Sequence, residues 1–167
     1  NNIIDAHKNV INSAETNQYV IRCMPGIYDE FEEEWAGSDE EPDEGSYLGI
    51  LVQNYEYFES FDKECPELTT LKWDGSAGFS TSMTHLQAAR RCIFHINMKN
   101  KHTKIEGFSF DCKNVRYCIH PETAGQGWGN KWHIKNCILK FSGRPFVQPA
   151  DPSWTYIGIG LSNGEHG

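Results

Sequence analysis

The sequence predicts an all-β solenoid, a parallel β-helix with a short capping helix at its amino-terminal end. Three observations carry that expectation. The first is a pattern written twice, as Lys104-Ile105-Glu106-Gly107-Phe108-Ser109-Phe110-Asp111-Cys112 and as His133-Ile134-Lys135-Asn136-Cys137-Ile138-Leu139-Lys140-Phe141. The copies are offset by 29 residues (134 minus 105), inside the period range of stacked coils. The second is that Gly107 and Asn136 each follow an apolar residue by two. Both types tolerate a left-handed backbone, so each copy reads as strand, bend, strand. The third is the alternation of Phe94, Ile96 and Met98 with His95, Asn97 and Lys99, the period of a strand with one buried face.

Along the chain, Ile3, His7, Val10, Ile11 and Ala14 fall on one face of a helix, so residues 1–18 form the cap and 19–167 the coils. Tyr19 to Met24 reads as a strand ended by Pro25-Gly26, where proline cannot donate to a ladder and glycine supplies the turn. Tyr47 to Gln53 and Leu68 to Trp73 follow as strands, and Leu86 to Arg91 as a single helical turn. Tyr117 to His120 is a further strand, and Tyr156 to Leu161 the last. Polar, period-free stretches at about 31–46, 54–67, 123–130 and 142–153 are expected as loop insertions, and loops of this length in a compact domain usually carry function. The chain starts without Met and closes on that last strand, so a piece of a longer solenoid is expected.

The net charge of −8 is concentrated: residues 29–44 hold ten acids and no Lys or Arg, leaving 13 acids against 15 bases elsewhere. That balance excludes the basic stripe of a general nucleic-acid surface. No apolar run is long enough to cross a bilayer. The six cysteines fit neither a zinc spacing nor a disulfide scaffold. Cys112, Cys118 and Cys137 read as small buried side chains on strands, with one disulfide between coils as the alternative. The seven His form no H-E-x-x-H or other ligand spacing, so no transition-metal site is expected. The acidic segment offers carboxylates to Ca²⁺ but lacks D-x-D-x-D-G spacing, and a solvated loop is the plainer reading. No cofactor is expected.

The order helix, strand, Pro-Gly-Ile-Tyr and then stacked coils resembles the amino-terminal portion of the pectin lyase-like superfamily of right-handed β-helices. Val20-Ile21-Arg22-Cys23-Met24-Pro25-Gly26-Ile27-Tyr28-Asp29-Glu30 is similar to the opening G-x-Y-x-E element of pectin methylesterases and of many phage tailspikes. Ser142-Gly143-Arg144-Pro145-Phe146 resembles the methylesterase L-G-R-P-W element, with Ser for Leu and Phe for Trp. The Q-D-T-L and D-F-I-F-G elements that carry the paired catalytic carboxylates are missing. The resemblance implies the fold and leaves the chemistry open.

Candidate chemistry falls in two outward columns. Aligning the copies sets Asp111 beside Lys140, either a solvated ladder pair or a carboxylate and cation on a groove able to do acid/base work. If Ile119 points inward, Cys118, His120 and Glu122 point outward, next to a glycine floor at Gly158 and Gly160. Around it stand Trp128, Arg144, Trp154 and Tyr156, the aromatic and polar groups that a sugar groove needs. The catalytic candidates are therefore Asp111, His120 and Glu122, and the substrate-binding candidates Trp128, Lys140, Arg144, Trp154 and Tyr156. The expected function is polysaccharide recognition by a phage tail fibre or spike, or by a secreted bacterial surface protein. Neighbouring subunits, as in a homotrimer, would pack beside it, on a virion surface or outside the cell. The alternatives are a polysaccharide lyase, glycoside hydrolase or pectinesterase-like enzyme, and a purely structural spacer.

Overall fold

The computed structural model describes residues 2–31, 34–35, 47–74, 91–96, 102–113, 115, 117–121, 131–141 and 157–159. Among the described residues one α-helix, α1 (Ile3–Lys8), precedes thirteen strands. These are β1 (Tyr19–Cys23), β2 (Gly26–Tyr28), β3 (Glu34–Trp35), β4 (Tyr47–Val52), β5 (Glu56–Ser60), β6 (Thr69–Asp74) and β7 (Arg91–Ile96). They continue with β8 (His102–Glu106), β9 (Ser109–Lys113), β10 (Tyr117–Pro121), β11 (Lys131–Lys135), β12 (Ile138–Phe141) and β13 (Ile157–Ile159).

The strands make three sheets, ordered β1-β5-β8-β11, β12-β9-β6-β2 and β13-β10-β7-β4-β3. Reading along the chain, each winding gives one strand to the first sheet, one to the second and one to the third. The windings are β1/β2/β4, β5/β6/β7, β8/β9/β10 and β11/β12/β13. Among the described residues every ladder is parallel except the two-residue pairing of β3 with β4. This is the arrangement of an all-β parallel solenoid. Among the described residues no helix is long and apolar enough to cross a membrane.

The doubled pattern sits in register, with Ile134 beside Ile105 and Leu139 beside Phe110. Gly107 (φ +81°) and Asn136 (φ +50°) both take the left-handed backbone that turns the first sheet into the second. The Gly107 amide donates to the Lys135 carbonyl at 3.1 Å and the Ile138 amide to the Phe108 carbonyl at 2.9 Å, which stacks one corner on the next.

Inward columns from the three walls meet in one core. Ile21, Phe58, Ile105 and Ile134 share a register column of the first sheet, and Leu71, Phe110 and Leu139 one of the second. Phe94 from the third wall lies at their centre, with ring centroids 4.7 Å from Phe58, 6.0 Å from Phe110 and 6.4 Å from Phe108. Each such ring contributes about 2–3 kcal/mol of apolar burial.

Four expectations are corrected. The helix stops at Lys8, because Asn9 caps it and its Nδ2 donates to the Asp5 carbonyl at 2.7 Å; Val10 stays buried while Ile11 is 64% exposed. The stretch 54–67 is not one connection but contains β5 and a 3-10 turn at Pro66–Leu68. Its alternation is hidden because the inward residue Glu56 is charged, and its carboxylate is held by His7 Nδ1 at 2.8 Å and by the Gln53 amide at 2.8 Å. Glu34–Trp35, inside the expected acidic loop, is a strand. Finally, Arg91, expected in a helical turn, begins β7, and the rest of that turn lies outside the described residues.

Candidate functional site

Two sets of side chains stand out, one on the surface of the first sheet and one buried at the third. Strand alternation sends Tyr57, Lys104 and His133 outward in one column of the first sheet, and Arg22, Glu59, Glu106 and Lys135 outward in the next. Neighbouring parallel strands lie about 4.8 Å apart, so Glu59 and Glu106 would repel each other if left alone. They are instead surrounded by cations. Arg22 Nη2 lies 2.6 Å and Lys63 Nζ 2.5 Å from Glu59, and Lys104 Nζ bridges the two carboxylates at 2.9 Å from Glu106 and 3.6 Å from Glu59. Lys135 Nζ closes the row at 3.4 Å from Glu106.

The electrostatics follow from these contacts. Burial pulls the Glu59 carboxyl upward, but hydrogen bonds from Lys63 and Arg22 outweigh it and hold the group below the ordinary carboxylate range. For Glu106 the hydrogen bond from Lys104 leads, and with Lys135 it overcomes burial in the same direction. Lys104 is pushed up, chiefly by its hydrogen bond to Glu106. Both carboxylates are thus fixed as anions. A general acid needs a raised value, so this pair cannot protonate a leaving group near neutral pH.

On the second sheet Asp111 lies in register between Lys72 and Lys140, the column expected from the repeated pattern. Among the described residues no ion pair joins Asp111 to either lysine. Its Oδ1 is buried without a hydrogen-bond partner, while both lysines are exposed. The next outward position does pair, with Lys113 Nζ 3.2 Å from Asp74 Oδ2.

The expected groove around His120 is changed in kind. His120 is not on the surface but 1% exposed, and Cys118 belongs to the core rather than to an outward row. Gly158 is no open floor either, since a Cβ there would meet the Leu139 side chain at 2.9 Å. Glu122, Trp128, Arg144, Trp154 and Tyr156 lie outside the described residues, as does most of the acidic segment considered for Ca²⁺.

What surrounds His120 was not foreseen. It lies in register with His95, the ring centroids 5.3 Å apart and nearly perpendicular at 72°. Tyr117 stacks on His120 at 4.5 Å and 9°. Cys92, in register with Tyr117, places its Sγ 4.0 Å from His95 Nδ1. The cause is a bulge in β7. Leu48 pairs with Arg91 but Ile50 pairs with Phe94, so Gly49 alone faces Cys92 and Ile93. The bulge removes Cys92 from simple alternation: Ile93 and Phe94 both join the core, and Cys92 groups with Tyr117 instead. One ligand atom from each of Cys92, His95 and His120 lies within 4.8 Å of the other two, and all three residues are buried.

None of the six cysteines forms a disulfide. Cys112 is held well above the ordinary thiol range, first by its hydrogen bond with Cys118 and then by burial. Comparison with protein-family models, with curated proteins and with solved structures finds no match. The fold and these two sets of residues therefore carry the functional argument by themselves.

Proposed function

We propose that this chain is a segment of a right-handed parallel β-helix of the pectin lyase-like kind. In this reading it recognises a polysaccharide at a virion or bacterial surface by binding it rather than cutting it. The observation that carries the reading is the outward row on the first sheet. Four cations (Arg22, Lys63, Lys104, Lys135) surround two ionised carboxylates (Glu59, Glu106), a surplus of two positive charges on a face that Tyr57 adjoins. A straight row at strand spacing, with charged hydrogen-bonding groups beside an aromatic ring, suits an extended chain of sugar rings, and the surplus favours an acidic one. The depressed carboxylates support binding over hydrolysis. Exposed Val20, Met24, Ile27 and Phe61 support side-by-side packing against neighbouring subunits.

The test is a binding titration of the chain against uronic-acid polysaccharides and neutral ones of equal length. Tighter binding of the acidic set is expected, weakening with added salt and falling about tenfold in Lys135→Glu. Equal binding of neutral glycans, or no response to Lys135→Glu, overturns the reading. Release of shortened products would replace it with an enzymatic one.

A further inference from the structure

We infer that Cys92, His95 and His120 form a binding site for a divalent zinc-class ion, linking β7 to β10. A thiolate with two imidazoles is a donor set that zinc takes up readily, and hard cations such as Mg²⁺ and Ca²⁺ do not favour it. The geometry is near what the ion requires. With Zn–S about 2.3 Å and Zn–N about 2.0–2.1 Å, tetrahedral angles put the donor atoms about 3.3–3.6 Å apart. The Cys92 Sγ to His95 Nδ1 separation is 4.0 Å, and one ligand atom from each of the three residues lies within 4.8 Å of the other two.

The backbone fixes where these donors stand. His95 and His120 occupy paired positions on adjacent parallel strands, so the ladder holds their Cα atoms side by side. The bulge opposite Gly49 brings Cys92 to the same face, three residues before His95. Tyr117 lies flat against the His120 ring and restricts its orientation, the kind of support that ligating imidazoles commonly receive from surrounding groups. Exposure of 0%, 3% and 1% for Cys92, His95 and His120 shields a bound ion from solvent. The fourth position of a tetrahedral ion falls to a water. An ion held this way ties two successive windings together and stabilises the stack, independently of any glycan bound at the first sheet.

The experiment loads the full 167-residue chain with Zn²⁺, and separately with Co²⁺ as a spectroscopic substitute. One ion per chain is expected. The cobalt form should show a thiolate-to-metal charge-transfer band and the intense visible bands of tetrahedral coordination. Cys92→Ser should abolish the charge-transfer band, and His120→Gln should weaken Zn²⁺ binding at least tenfold, while exposed His133→Gln leaves both unchanged. Should either ligand variant fail to fold, X-ray absorption on the zinc-loaded wild-type chain decides. A shell with one sulfur and two imidazole nitrogens supports the site, and a shell without sulfur overturns it. Absence of binding by the wild-type chain, or binding that Cys92→Ser and His120→Gln leave intact, overturns it equally.

Discussion

Lys104→Met keeps most of the side chain's length and removes its charge, and the outward row gives the consequence a size. The lost ammonium sits 2.9 Å from Glu106 and 3.6 Å from Glu59, with its side chain 33% exposed and the carboxylates only 7% and 5%. An exposed ion pair contributes about 0.2–1 kcal/mol, whereas stripping one partner from a fully buried pair costs about 3–5 kcal/mol. Glu59 keeps Arg22 and Lys63, and Glu106 keeps Lys135 at 3.4 Å and Lys63 at 3.8 Å, so both retain partners. Discounting for the half-open cation, the expected loss is about 1–2 kcal/mol at pH 7. The pH dependence has a definite sign. Both carboxylates titrate below their ordinary value, so their contribution is present above the ordinary glutamate range and lost as pH falls through the depressed values. Lys104 titrates above its ordinary value, so its contribution holds below the usual lysine range and fades only as pH rises through the raised one. Urea denaturation of wild type and variant at pH 7 and at about pH 3 measures this, and the difference should shrink in acid. A loss under about 0.3 kcal/mol at pH 7, or one unchanged in acid, refutes the electrostatic account of the row.

Other substitutions probe the frame. Gly49→Ala drives a Cβ into the Cys92 carbonyl oxygen at φ +105°, so about 3 kcal/mol or more should be lost in thermal or urea unfolding. Phe94→Ala removes the ring at which three walls meet and should cost about 3–5 kcal/mol by the same measurement. Asn136→Val forces a β-branched residue into φ +50° and should cost about 1–2 kcal/mol, whereas Asn136→Gly should be close to neutral. Mass-mapped alkylation at about pH 8 should label half-exposed Cys65 well before Cys23, whose buried thiol is pushed up to about 12.

The repeated pattern was legible because its two physical demands are local. Gly107 and Asn136 announce the bends, and the apolar positions around Ile105 and Ile134 announce the register. β5 was hidden because Glu56 stands where an apolar inward residue would be expected, and its partner His7 lies 49 residues away. The outward row depends on pairs such as Lys104 with Glu59, which no spacing rule connects. The Cys92, His95 and His120 group needs a bulge that only the pairing of β4 with β7 creates. One signal was available. Ile93-Phe94-His95-Ile96 and Cys118-Ile119-His120-Pro121 place a histidine identically after two apolar residues, at an offset of 25 (120 minus 95). Treating that as a second repeat would have brought the two imidazoles side by side, though alternation alone would have turned them toward water.

Glu56 also bears on the order in which the chain can assemble. Its carboxylate receives the Gln53 amide and lies against His7, and its carbonyl accepts the Thr103 hydroxyl, so a single residue joins the helix, the turn before β5 and the winding that follows. The helix lies near the start of the chain, yet its polar anchor exists only once β5, the first strand of the second winding, has docked on β1. Consolidation of α1 should therefore follow the pairing of β1 with β5, so that the helix gains protection after that ladder in a pulsed hydrogen-exchange record of refolding.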